Sequence, residues 1–255
     1  MLSISQIKLI KSLEHKKFRQ EHNIFVAEGI KIVEELLLSD YEIEEIYMTN
    51  NISLNIPTNV NHSIISQKEL NRISFLKTPN KILALVKIPT YSLDIKNFNK
   101  ELILALDNIN DPGNMGTIIR IANWYGISII LCNNNCVDCY NPKVIQSAMG
   151  AIFRTKLIYS DLQEIINKIK SSENIPIYAA NLNGTSLYNT STSDYGIIVI
   201  GNEAHGISHA ISSLADYKIK IPSFPAENPI MESLNAGVAT GIICAEFRKN
   251  TLELI

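Results

Sequence analysis

The chain has no apolar run approaching the roughly 20 residues that a membrane-spanning helix needs. Its opening residues, MLSISQIKLIKS, lack the continuous apolar core of a secretory signal. A cytoplasmic protein without a membrane anchor is expected. Net charge is also lacking: 23 Lys and Arg stand against 25 Asp and Glu, a balance of −2 with a pI near 6.2, which excludes a globally basic nucleic-acid coat but not a local basic face. G-x-G-x-x-G is absent, as is a Walker lysine, so neither a Rossmann dinucleotide site nor a nucleoside triphosphatase is supported. His205 reads as a loop or interface residue rather than a ligand, and no metal is expected. There is no internal repeat and no low-complexity tract.

What remains is a chain of 255 residues, 46% of them hydrophobic, long enough for one large or two modest domains. Ser3 and Gln6 have capping-box spacing ahead of Ile7, Leu9, Ile10 and Leu13, so a helix opens the protein. Residues 18–28 then read as extended and 29–38 as a second helix. Strand-like runs follow at 43–49, 63–65 and 82–88, with a helix at 67–73 capped by Ser66. A local basic face is visible in Lys8, Lys11, Lys16, Lys17 and Arg19, opposed there only by Glu14 and Glu21. Residues 89–100 are polar and without period, which places a linker there and divides the chain into 1–96 and 97–255.

The second part alternates more cleanly. Strands are expected at 102–106, 128–132, 154–159, 176–180, 196–200 and 218–221, and helices at 116–125, 142–149, 162–171, 208–214 and 234–249. Strands apolar on both faces and separated by helices imply a parallel sheet covered on both sides. Such sheets bind ligands beyond the carboxyl ends of their strands. The polar, glycine-rich stretches 107–116, 181–184, 201–206 and 222–235 fall at those ends.

Each stretch has a plain structural use beside a functional one. Asp111, Pro112 and Gly113 make a turn before a helix, while the short side chains of Gly113, Asn114 and Gly116 leave room there for an anion. Arg120 follows among Ile118, Ile119, Ile121 and Ala122, where it must snorkel outward or meet a phosphate or carboxylate. Glu203 beside Gly201 suits main-chain or hydroxyl donors. The last helix holds Ala236, Gly237, Ala239, Thr240, Gly241 and Ala245, and each interior glycine costs about 1 kcal/mol of helix propensity against alanine. Something therefore approaches that face closely: a crossing helix, a partner subunit or the chain itself.

Taken in order, D-N-x-x-D-P-x-N-x-G-x-x-x-R from Asp107 to Arg120, G-N-E-x-x-G from Gly201, and I-P followed by S-L-N-x-G from Ile221 to Gly237 resemble the three signature motifs of the SpoU (TrmH-type) RNA ribose 2′-O-methyltransferases of the SPOUT superfamily. The resemblance covers residues 101–249. The start of the chain, K-x-x-x-S-L-x-x-K-K-x-R from Lys8 to Arg19, F-x-x-E-G from Phe25 and ISFLKTP from Ile73, is similar to that family's small α/β substrate-binding domain. The resemblance implies a deep trefoil knot in the parallel-sheet domain, a homodimer, and S-adenosylmethionine as cofactor. It assigns cofactor binding to Asn181, Leu182, Gly201, Ile221, Leu234 and Asn235, and places Asn114, Arg120, Glu203, Ser233 and Asn235 near the reaction. RNA contacts are expected from Lys8, Lys16, Lys17, Arg19 and Arg120. Structured RNA is the expected partner, ribosomal RNA ahead of transfer RNA.

Two features depart from the family pattern: Ala204 replaces a common glycine, and the loop 222–233, with Pro225 and Pro229, is longer than the common form. A rival reading rests on Cys132, Cys136 and Cys139, whose C-x3-C-x2-C spacing is that of radical S-adenosylmethionine enzymes with an iron–sulfur cluster. A non-catalytic RNA-binding member of the same fold is a second rival.

Overall fold

The computed structural model describes residues 1–50, 52–93, 98, 101–172, 174–224 and 233–252. Most of the loop 222–233, including Pro225 and Pro229, lies outside them, as do Asp94, Asn97 and Asn99 of the expected linker. The chain forms two compact units, Met1–Thr90 with Asp138–Arg154, and Tyr91–Val137 with Thr155–Ile255.

The first unit is a four-stranded sheet with helices. Its elements are α1 (Ile4–Ser12), α2 (Lys16–His22), β1 (Ile24–Glu28), α3 (Ile30–Leu37), β2 (Ile43–Met48), β3 (His62–Ile64), α4 (Gln67–Ile73) and β4 (Ile82–Lys87). The strand order is β1-β4-β2-β3, with β4 antiparallel to both neighbours and β2 parallel to β3. Ser3 and Gln6 form the expected capping box on α1, and Ser66 with Glu69 forms another on α4. Residues 18–22, expected to be extended, continue the helix α2 that Lys16 and Lys17 begin. Its K-K-F-R-Q-E-H composition favours helix locally, and the turn to β1 is made by Asn23 in the left-handed region, φ 55°.

The segment 138–154, assigned by sequence to the second part, packs within this first unit. It contributes the helix Pro142–Ala148, α6 in chain order. Tyr140 lies with its ring 4.5 Å from that of Phe25, and Phe153 5.2 Å from that of Tyr41. The same segment captures Arg19. Only 2% exposed, Arg19 donates to the carbonyls of Leu13 and Glu14 at 2.7 and 2.8 Å and pairs with the Asp138 carboxylate through Nε at 2.9 Å and through Nη2. The expectation that Arg19 grips RNA is therefore corrected: its donors are spent inside the unit, where an unpaired buried charge would cost far more than the pair. Lys8, Lys16 and Lys17 are exposed.

Glu69 offers a pH test of the α4 cap. Its carboxylate accepts from Ser66 N and Oγ and from Leu2 N, at 3.0, 2.8 and 2.9 Å, and these bonds, those from Ser66 foremost, hold its pKa down from 4.5 to about 2. A depressed carboxylate stabilises above its unfolded pKa and loses that contribution as pH falls through the folded one. Glu69→Gln should melt below the parent protein at pH 7, with the difference closing between pH 4.5 and 2; a gap independent of pH in thermal melts would refute this.

The second unit is a six-stranded sheet, all of it parallel, in the order β10-β8-β9-β5-β6-β7. Its strands are β5 (Leu102–Asp107), β6 (Ile129–Asn133), β7 (Lys156–Ser160), β8 (Ile177–Ser186), β9 (Gly196–Gly201) and β10 (Tyr217–Lys220), and its helices α5 (Pro112–Trp124), α7 (Leu162–Ser172), α8 (His209–Ser212) and α9 (Ala236–Leu252). Phe98, Ile103, Leu131, Ile166, Ile197 and Val199 are among the core side chains between the sheet and α7. Continuous apolar strands such as Leu102–Leu106 are buried throughout, as strands covered on both faces must be.

β8 outruns its expected end. Its pairing with β10 jumps from Ala179 opposite Lys218 to Thr185 opposite Ile219, so residues 180–184 are looped out of register. Asn181 and Leu182 sit on that excursion. The small-residue face of α9 has its neighbour in the same chain: a Cβ on Gly237 would lie 2.8 Å from Thr117 Cγ2, and one on Gly241 3.6 Å from Ile121 Cδ1. At those two positions α5, rather than a partner subunit, makes the close approach.

Candidate functional site

β5 and β9 lie side by side, with Asp107 opposite Gly201 at their carboxyl ends. Asp107 is 1% exposed and is the hub of the loops that leave them. Its Oδ1 accepts from Asn108 Nδ2 at 2.8 Å and Asn133 Nδ2 at 2.6 Å, and its Oδ2 accepts from Ser208 N at 2.7 Å. One carboxylate thus ties together the ends of β5 and β6 and the loop after β9. Asn108 takes a left-handed turn, φ 61°, and its carbonyl accepts from Asn202 Nδ2 at 3.0 Å. Asn202 Oδ1 then accepts the amides of Ala204 and His205, at 2.9 and 3.3 Å, while its backbone pairs with that of Gly206. The loop therefore folds back on Gly201, where a Cβ would lie 2.3 Å from the Gly206 carbonyl carbon. Only glycine fits there.

On this frame four of the residues expected near the reaction come together. Asp111 caps α5 by accepting from Asn114 N at 2.8 Å, with Pro112 in the first turn. Asn114 Nδ2 donates to Glu203 Oε1, and Asn114 Oδ1 accepts from Asn235 Nδ2 at 2.7 Å. Asn235 Oδ1 accepts the amides of Gly237 and Val238 at 3.0 and 3.3 Å, so each of the two side-chain amides has both ends committed. Glu203 Oε1 also accepts from Ala236 N at 3.3 Å, a carboxylate at the positive end of a 17-residue helix. Ser233 Oγ donates to the Glu203 carbonyl at 3.4 Å. Arg120 shares none of these bonds. It stands exposed farther along α5 and forms no salt bridge among the described residues.

The residues expected to hold cofactor are uncharged: Asn181 and Leu182 on the looped-out stretch of β8, Gly201 at the end of β9, Ile221 just after β10, and Leu234 and Asn235 ahead of α9. Asn181 accepts from Asn183 N at 2.8 Å, Gly201 and Ile221 are half-buried, and Leu182 and Leu234 are 57% and 45% exposed. Two apolar side chains left open to solvent beside backbone polar groups suit a ligand with an apolar ring and hydroxyls. Asn133 and Ser208 lie outside the motifs read from sequence, and Asp107, Asn108 and Asn202 stand in those motifs without an assigned role. The available signal was a polar residue at the end of each apolar strand, ILALD, IILCN and IVIGN.

Residues 101–245 match the SpoU rRNA Methylase family, and residues 5–84 match the MRM3-like substrate binding domain. The chain belongs to the SpoU rRNA Methylase family. Among its relatives, the 23S rRNA (guanosine(2553)-2′-O)-methyltransferase RlmP of Bacillus subtilis is 28% identical over 95% of this chain and 96% of its own. A solved structure assigned to the TrmH family of RNA methyltransferases, from Porphyromonas gingivalis, superimposes with a TM-score of 0.88 at 31% identity over 98% of this chain and 99% of that one. The SpoU methyltransferase AviRb of Streptomyces viridochromogenes, solved with AdoMet, has the same fold, with a TM-score of 0.86 at 20% identity over 98% of this chain and 99% of that one.

Membership in the SpoU family sets aside the iron–sulfur reading of the cysteines. All four are buried and outside any disulfide, and Cys136 Sγ is engaged in the β5–β6 region, donating to Leu106 O and accepting from Ile109 N, both at 3.3 Å. A hydrogen bond from Cys132 holds the Cys136 thiol below its ordinary pKa, whereas burial pushes Cys244 up to about 12. Among the described residues no group of three or more His, Cys, Asp and Glu is placed to hold a metal ion. No helix among them is long and apolar enough to cross a membrane.

Proposed function

We propose that this protein methylates a ribose 2′-hydroxyl of ribosomal RNA with S-adenosylmethionine as donor. The observation that carries the reading is the joining of motif residues 121 positions apart, Asn114 and Asn235, with Glu203, at the N-termini of α5 and α9 in a chain of the SpoU family. Asn181, Leu182, Gly201, Ile221, Leu234 and Asn235 would hold the cofactor. When bound, it supplies a methyl group already activated on a sulfonium.

The remaining work is orientation and removal of one proton. The network fixes the loop 201–206 and both helix starts before any ligand arrives, so Asn114, Glu203, Ser233 and Asn235 form a preorganised wall for the ribose. Arg120 holds a phosphate beside the reacting nucleotide. A guanidinium stays protonated at any physiological pH, so the 2′-hydroxyl proton passes to that phosphate or to water as the new O–CH3 bond forms and the old S–CH3 bond breaks. Lys8, Lys16 and Lys17 contact RNA phosphates. The reading also takes in residues 1–96 as the RNA-binding domain and 97–255 as the methyltransferase domain. A trefoil knot in the second domain, a homodimeric assembly and a cytoplasmic site of action complete it.

Purified protein with labelled S-adenosylmethionine should transfer label to ribosomal RNA from cells lacking the gene, and far less to RNA from cells that carry it. The label should map to a single ribose 2′-oxygen. Transfer only to transfer RNA would move the substrate, and no transfer to any RNA class would overturn the enzyme reading in favour of a non-catalytic RNA binder.

A further inference from the structure

Two patterns in the first unit that the methyl-transfer network does not use, F-x-x-E-G and ISFLKTP, meet at one carboxylate. Glu28, 3% exposed at the end of β1, accepts from Ser74 Oγ, from Phe75 N at 3.1 Å and from Asn80 N at 3.5 Å. A buried carboxylate with donors on both oxygens holds the loop 74–80 in one arrangement. The helix α6 is stitched to the same point, since Gln146 Nε2 donates to the Glu28 carbonyl at 2.6 Å.

Between that loop and α6 lies a cavity of about 350 Å³. Its walls carry Phe75, Leu76 and Pro142, while Gln146 and Ser147 bring polar groups to it. Lys77 and Lys143 also line it; both are exposed, and neither forms a salt bridge among the described residues. Lys11, outside the lining, braces the wall, its Nζ 4.8 Å from the centre of the Phe75 ring and bonded to Ser74 O at 3.0 Å. The volume is within the range of pockets that enclose small organic groups. An aromatic and apolar wall, an amide and a hydroxyl for edge hydrogen bonds, and lysines at the mouth are the parts by which proteins hold an unstacked RNA base and its flanking phosphates.

We infer that this cavity receives an unstacked base of the substrate RNA, a role that rests on the RNA-directed reading above. Phe75 and Leu76 pack against the base, Gln146 and Ser147 meet its edge, and Lys77 and Lys143 hold the adjoining phosphates. The full-length protein is titrated, without cofactor, with deproteinised ribosomal RNA from cells lacking the gene. Phe75→Ala should weaken binding about tenfold, the loss of one base–aromatic stack. The double variant Lys77→Glu, Lys143→Glu should weaken it at least as much and lower the slope of log K against log salt by about 1 to 2. Lys31→Glu, the same charge change on the exposed face of α3, should bind within twofold of the parent.

Unchanged RNA affinity in both cavity variants, an equal loss in Lys31→Glu, or tight binding of free nucleoside monophosphates with none of RNA would each overturn the inference. The lysine variants alter exposed side chains only, so they decide the question even if Phe75→Ala misfolds. Because RNA binding is read without methyl transfer, failure of the enzymatic reading appears separately, as an inactive parent protein that still binds RNA through the cavity.

Discussion

Replacing Arg120 with alanine lowers the rate of methyl transfer by about 10²- to 10³-fold, the usual cost of removing one preorganised charge from a reacting centre, and leaves thermal stability within about 1 °C of the parent, since surface changes are nearly neutral. The second half of that expectation follows from position. Arg120 is exposed, whereas its neighbours Ile118 and Ile119 are fully buried and anchor α5 without it. The first half follows from charge, because a guanidinium grips a phosphate through two parallel hydrogen bonds. Arg120→Lys retains the cation but loses that fork, so its rate should fall only about tenfold. Single-turnover rates at saturating RNA and cofactor separate the two variants. Equal and complete loss in both, with RNA affinity unchanged, would contradict the phosphate clamp and favour a direct part for the guanidine in proton transfer.

Replacing Asp107 with alanine should cost the second unit about 3 kcal/mol. Its carboxylate serves three donors from three segments, hydrogen bonds to a charged group contribute about 1.5–3 kcal/mol each, and they are not additive. The side-chain amides of Asn108 and Asn133 and the main-chain amide of Ser208 would lose their acceptor together. The melting temperature should fall by about 6–12 °C. Asp107→Asn removes one acceptor oxygen and turns a donor toward Asn133 or Ser208, so it should cost about half as much. Cofactor affinity should fall with stability in both variants, because the same bonds hold the loop 201–208 in place. A variant that melts like the parent would remove Asp107 from its place as the hub.

Much of this architecture could be read locally. The capping boxes at Ser3 and Ser66, the buried apolar runs of β5 and β9 and the glycine and asparagine loops after them are signals contained within a few residues, and a parallel sheet follows from their alternation. The motif residues Asn114, Glu203, Ser233 and Asn235 were nameable by resemblance, although nothing in their spacing shows that their side chains touch. The burial of Arg19 was not legible, because its partner Asp138 is 119 residues away and belongs to a segment whose helical pattern looks like the rest of the second part. Nor was the pairing of α5 with the small-residue face of α9, since glycine reports a close approach without saying what approaches.

Sequence alone therefore determined the alternation of strands and helices, the strand ends at which the polar loops gather and the chemical types gathered there, since propensity, periodicity and capping act over a few residues. Tertiary structure alone decided which polar groups satisfy one another. Asp107 with Ser208, Asn114 with Glu203, and Glu28 with the loop 74–80 are joined across 46 to 101 residues. Burial obliges each such group to find a partner, and the path of the chain in space selects it.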